Sequence, residues 1–106
     1  MAEAMAPAVR VLFAHATGLC KEVWRPVIDA LGASGGGAAP LISHWFDFRA
    51  HGSRGGEPLT EAACAWDGFA VDDVVAAVAA VRAAGGTGPI VGVGHSFGGA
   101  ALVKVP

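Results

Sequence analysis

The stretch that most restricts the fold of this chain runs from Pro89 to Val103. A short apolar run, Pro89-Ile90-Val91-Gly92-Val93, leads directly into Gly94-His95-Ser96-Phe97-Gly98-Gly99, and helix-compatible Ala100-Ala101-Leu102-Val103 follows at once. Wholly apolar, β-branched and free of polar alternation, the run reads as a strand of a parallel sheet covered on both faces. Passing from strand to helix in so few residues demands a strained turn, which closes only if the residues two places either side of its centre are small. Gly94 and Gly98 hold those places around Ser96, with His95 inside the turn. The following helix aims its N–H groups and the positive end of its dipole at the same point, where a developing negative charge would be stabilised. Ser96 is therefore the candidate nucleophile, and Gly94, His95 and Gly98 are its supports.

The rest of the chain repeats the strand-then-helix alternation. Val9 to Ala14 is β-branched and aromatic enough for a strand and breaks at His15-Ala16-Thr17-Gly18. Val23, Trp24, Val27, Ile28 and Leu31 fall at helical spacings, with a start near Trp24, Pro26 in the first turn and Gly32 as a stop. Leu41 to Phe46 reads as a second strand ending at Asp47, and the glycine-rich stretch from Arg49 to Pro58 as loop. Trp66, Phe69, Ala70, Val74, Val78 and Val81 then recur every three or four places, giving the longest helix, over 66–84. Asp67, Asp72 and Asp73 lie toward its N-terminus and Arg82 toward its C-terminus, as the dipole favours. The order β, α, β, α, β, α predicts an α/β fold, a parallel sheet flanked by helices, occupying residues 9–106 after a short tail at 1–8.

Composition narrows the function classes. The 106 residues are 54% hydrophobic and 15% charged, enough core material for one globular domain, although alanine and glycine make up more than a third of the chain. With 7 basic against 9 acidic residues and no basic block, the electrostatic drive for nucleic-acid binding is missing. The longest charge-free apolar run within a periodic segment, Val74 to Val81, is far short of the ~18 residues of a membrane span. The acidic N-terminus makes a poor secretory signal, so a cytoplasmic location is expected. Cys20 and Cys64 allow at most one bridge and are expected as buried thiols.

Taken together, the motifs resemble the α/β-hydrolase superfamily over nearly all of residues 9 to 106. Gly94-His95-Ser96-Phe97-Gly98-Gly99 looks like its nucleophile elbow, and His15-Ala16-Thr17-Gly18 like its oxyanion loop in a variant whose glycine falls later. Asp47-Phe48-Arg49-Ala50-His51-Gly52-Ser53 is similar to the family's Asp-x-Arg-Gly-x-Gly-x-Ser loop, with Ala50 in place of the first glycine. The resemblance implies that backbone N–H groups of Thr17 and Phe97 form an oxyanion hole, and that His15, Asp47 and Arg49 support the loops beside it. It also implies a small-molecule acyl substrate, such as a carboxylic ester or thioester, and no cofactor. A serine hydroxyl needs a base and the base an orienting acid, which relatives supply after the elbow, where here only Gly99 to Pro106 follow. A sheet of about eight strands, at ~30 residues per β-α unit, needs more than about 200 residues. The chain is therefore expected to be the N-terminal portion of such a domain, an incomplete fold without triad catalysis and open to self-association through its sheet edge.

Two other readings of the same residues stay open: a noncatalytic binding or interaction module that kept the fold, and a Rossmann-like nucleotide-binding domain read from Gly92-x-Gly94-x-x-x-Gly98. Phe97 stands where a dinucleotide fingerprint has its third glycine, and two β-α units precede the motif. No metal site is expected, because His15, His44, His51 and His95 lack ligand spacing. Trp24, Trp45 and Trp66 are assigned to the core ahead of an acyl pocket, Asp47 and Arg49 to a pair that clasps their loop, and Asp72 and Asp73 to a solvated helix turn.

Overall fold

The computed structural model describes residues 8–33, 40–58, 68–85 and 87–106. Strand β1 spans Val9–Ala14, a 3-10 turn Lys21–Trp24 runs into helix α1 at Arg25–Ala33, and strand β2 spans Leu41–Trp45. A second 3-10 turn, Gly52–Arg54, lies within the stretch expected as loop, and helix α2 follows at Phe69–Ala83, strand β3 at Ile90–Gly94 and helix α3 at Phe97–Val103. Trp66, Asp67 and Cys64, and with them the expected start of the long helix, fall outside the described residues. All strand pairing is parallel, in the order β2-β1-β3, with Phe13 opposite Trp45 and Val93, and Ala14 opposite Gly94. The fold is thus an open parallel sheet with helices, as the alternation predicts.

Because successive strand residues point to opposite faces, β1 divides its side chains between two layers. Phe13 packs on Trp24, ring centroids 5.0 Å apart, beside α1. On the other face Ala14 joins Phe48, Phe69, Ala70, Val74, Phe97 and Ala101 in the main core, where α2 and α3 meet the sheet. Leu12, Phe13 and Phe48 are fully buried, each contributing about 1.5–3 kcal/mol of transfer free energy. Of the α2 stripe, Phe69, Ala70, Val74 and Val81 are buried and Val71 and Val78 half-buried, whereas Val75, which would widen it, is 45% exposed and Trp66 lies outside the described residues.

Several expectations need correction. On α1, Trp24, Ile28 and Leu31 are half-buried while Val23 and Val27 are exposed: the tighter 3-10 turn shifts the angular phase, and only spacings of four and then three face the sheet. Gly32 does not stop α1, which continues through Ala33. β3 is not covered on both faces. Among the described residues it is an edge strand, with Val91 48% exposed, because an apolar run records what a strand tolerates and not which neighbours it has. Cys20 is half-buried and free. No described helix is long and apolar enough to cross a membrane.

Candidate active site

β3 ends at Gly94 and α3 begins at Phe97, so His95 and Ser96 alone make the change of direction. The His95 N–H donates to the Ala14 carbonyl at 3.1 Å, and the Gly98 and Ala100 N–H groups donate to the carbonyls of His95 and Ser96 at 3.0 Å each. Ser96 is left with φ 54° and ψ −112°, an exposed residue whose hydroxyl makes no cap to α3. Such a conformation costs an L-residue about 1–3 kcal/mol and survives only where the surroundings force it. Here they do. A Cβ on Gly94 would run into the backbone N and Cα of Gly99, and a Cβ on Gly98 would run into the Ala14 carbonyl oxygen and stand 2.6 Å from the His15 carbonyl oxygen. Phe97 anchors the turn from below, its ring 5.2 Å from Phe48 and 5.8 Å from Phe69.

The contact between Gly98 and the carbonyls of Ala14 and His15 brings a second loop to the same end of the sheet. His15, the first residue after β1, is fully buried. Its Nε2 accepts the Phe48 N–H at 3.1 Å, which leaves the proton on Nδ1 to be donated to the Ala16 carbonyl at 2.8 Å. Burial pushes its pKa below the usual histidine value, and the Ala16 hydrogen bond offsets this only in part, so the ring stays neutral. The Ala16 carbonyl also closes a turn by accepting the Leu19 N–H at 3.1 Å. Thr17 is exposed at that turn, and its N–H has no hydrogen-bond partner among the described residues.

A third loop, 47–54, lies beneath both. Asp47 does not pair with Arg49. Its buried carboxylate accepts the Lys21 N–H at 2.8 Å, Lys21 Nζ at 2.9 Å, the Ser53 N–H at 3.0 Å and the Ser53 hydroxyl at 2.7 Å. Burial raises its pKa, but these four donors outweigh burial and hold it well below the usual carboxylate range. Gly52, at φ 52°, is required because a Cβ there would strike this carboxylate. Ala50, where the family loop has glycine, takes the same left-handed region at φ 66°. Arg49 turns instead to Asp73, which is not a solvated residue: it is 5% exposed and accepts the Arg49 N–H at 2.7 Å, with Arg54 Nη1 at 3.4 Å and Arg49 Nη2 at 3.9 Å.

Ser96, Phe97, His15 and Thr17 therefore sit at one end of the sheet, and Asp47 and Arg49 hold the loop below them. Lys21, Ser53, Arg54 and Asp73 join that hold, a role the sequence reading assigns to none of them and, for Asp73, replaces with a solvated turn. For Asp73 a signal existed, since it lies three residues from Ala70 and four from Phe69, within the apolar stripe of α2. Of the tryptophans, Trp24 packs on Phe13, and Trp45 lies under the cations of Arg25 and Lys21, at 5.0 and 5.9 Å. Three imidazoles are committed elsewhere: His15 as above, His44 accepting from Arg10 Nη1 at 3.1 Å, and His51 donating from Nδ1 to the Arg49 carbonyl at 2.9 Å. His95 makes no side-chain hydrogen bond to Ser96 among the described residues.

Comparison with protein-family models gives a match to the alpha/beta hydrolase family over residues 11–105. Neither the curated proteins nor the solved structures yield a match.

Proposed function

Since this chain belongs to the alpha/beta hydrolase family, we propose that it carries the nucleophile half of a serine hydrolase site acting on carboxylic esters, thioesters or related acyl compounds. Ser96 Oγ attacks the acyl carbon, the N–H groups of Thr17 and Phe97 hold the oxygen that gains charge, and His15, Asp47 and Arg49 keep the loops in place. The leaving group departs, and water then releases the acyl group from Ser96. The base that takes the hydroxyl proton and the acid that orients it come from outside these 106 residues. Supporting this, three of the four imidazoles are bound to other groups and the fourth is not linked to Ser96.

The observation that carries the reading is the backbone of Ser96, held at positive φ with its side chain exposed by two glycines that admit no Cβ. The test is covalent labelling of the full chain with a fluorophosphonate, in which Ser96 Oγ bonds to phosphorus and fluoride leaves. Expected is slow labelling selective for Ser96, lost in Ser96→Ala and accelerated severalfold by added imidazole acting as an external base. Fast labelling without imidazole would show that the chain supplies its own base; labelling spread over other serines would end the nucleophile reading.

A further inference from the structure

We propose that Asp73 is a positioning residue: from α2 it fixes the 47–54 loop against His15 and, through His15, sets the segment that bears Thr17. The inference rests on the reading of Thr17 as an oxyanion donor. An acid on the apolar face of a helix is unfavourable unless its charge is matched, and among the described residues the partners of the Asp73 carboxylate all belong to this one loop. The Arg49 N–H, donated to Asp73, is next in the chain to the Phe48 N–H, donated to His15 Nε2. Adjacent peptide groups are thus held by two different elements, α2 and the loop after β1, and the buried Phe48 ring packs edge-on against His15, centroids 5.0 Å apart.

His15 transmits the constraint through its two nitrogens. With Nε2 accepting from Phe48, Nδ1 must carry the proton it donates to the Ala16 carbonyl, one residue before Thr17. If the Phe48 N–H swings away, the imidazole is free to adopt the other tautomer, and the Ala16 peptide loses its donor. Arg54 reinforces the arrangement, since its Nη1 lies 3.4 Å from Asp73 and donates to the Asp47 carbonyl at 3.1 Å.

The test follows the imidazole nitrogen signals of His15 and the amide signal of Thr17 by NMR in the full chain, beside fluorophosphonate labelling of Ser96. Wild type should show a single His15 tautomer with the proton on Nδ1. Asp73→Ala should give a mixture of tautomers, a displaced Thr17 amide and labelling slowed roughly 10- to 100-fold, the scale of a group moved by an ångström. Asp73→Asn keeps an acceptor for Arg49 but not the charge facing Arg54, and should displace the Thr17 amide in the same direction by less. Val78→Ala, on the same helix away from the loop, should leave both signals in place. The proposal is overturned if both Asp73 variants keep wild-type signals, or if Val78→Ala moves them equally. Should Asp73→Ala fail to fold, an unmoved Thr17 amide in Asp73→Asn overturns it alone. Absent labelling in wild type would count against Ser96 and Thr17 as machinery, while the NMR signals still decide the role of Asp73.

Discussion

Among the described residues two bends place a side chain-bearing residue at positive φ, and they are held there by different forces. At Ser96 the backbone is clamped by bulk: Gly94 against Gly99, Gly98 against Ala14 and His15, and Phe97 locked between Phe48 and Phe69. At Ala50 it is held by charge and hydrogen bonds, with Asp47 gripping Lys21 and Ser53 on one side and Asp73 gripping Arg49 on the other. Clamping by contact is insensitive to solvent conditions but intolerant of an added methyl group. Holding by charge accepts a change of residue at the bend itself, yet responds to acid.

The largest expected effect lies at the first bend. Gly98→Ala should destabilise the chain by roughly 3 kcal/mol or more, read by urea denaturation, because both neighbours of the new methyl are backbone carbonyls that cannot turn aside. An effect under about 1 kcal/mol would mean that the elbow yields and is not clamped. At the second bend Asp47→Ala should cost about 1–3 kcal/mol, since it leaves the part-buried donors of Ser53 and Lys21 without their acceptor.

Acid distinguishes the bends further. His15 and His44 have folded pKa values below the unfolded one, so the unfolded chain takes up protons first and stability falls as pH drops below about 6.5. Asp47, with its folded pKa depressed, contributes stability present above about pH 4 and lost as pH falls through its folded value. Melting temperature followed from pH 8 downward should therefore decline in two stages, and Asp47→Ala should chiefly shrink the more acid one, to which Glu22 and Glu57, their pKa values also lowered by their Lys21 and Arg54 partners, still contribute. The smallest effect is a gain: Ala50→Gly should stabilise by about 1 kcal/mol by relieving the left-handed strain, with the hydrogen bonds to Asp47 retained. A loss on that substitution would place the strain elsewhere.

The same contrast explains what was legible in the sequence. Steric requirements are written locally, as glycine at fixed offsets, so Gly94, Ser96 and Gly98 announce the elbow without help from the rest of the chain. Strand and helix periods likewise placed β1, β2, β3 and α3 to within a residue or so. The charged hold on the 47–54 loop joins residues 24 to 26 places apart, Lys21 to Asp47 and Arg49 to Asp73, and no local pattern states which acid meets which base. The pairing of Asp47 with Arg49 was the nearest choice along the chain, but Arg49 reaches a helix acid instead. β3 misled for a related reason: its sequence is that of an interior strand, while exposure depends on what lies alongside.

The Ala14 carbonyl has a further consequence. It receives the His95 amide and abuts Gly98, while the next peptide leads into the loop of His15 and Thr17. Any small drift of β1 is then common to both segments and carries them as a pair, so that their separation is protected even when their absolute coordinates are not. Substitutions beneath the central strand should be absorbed as rigid translation, whereas those wedged between strand and turn act on the one spacing that this shared hinge preserves.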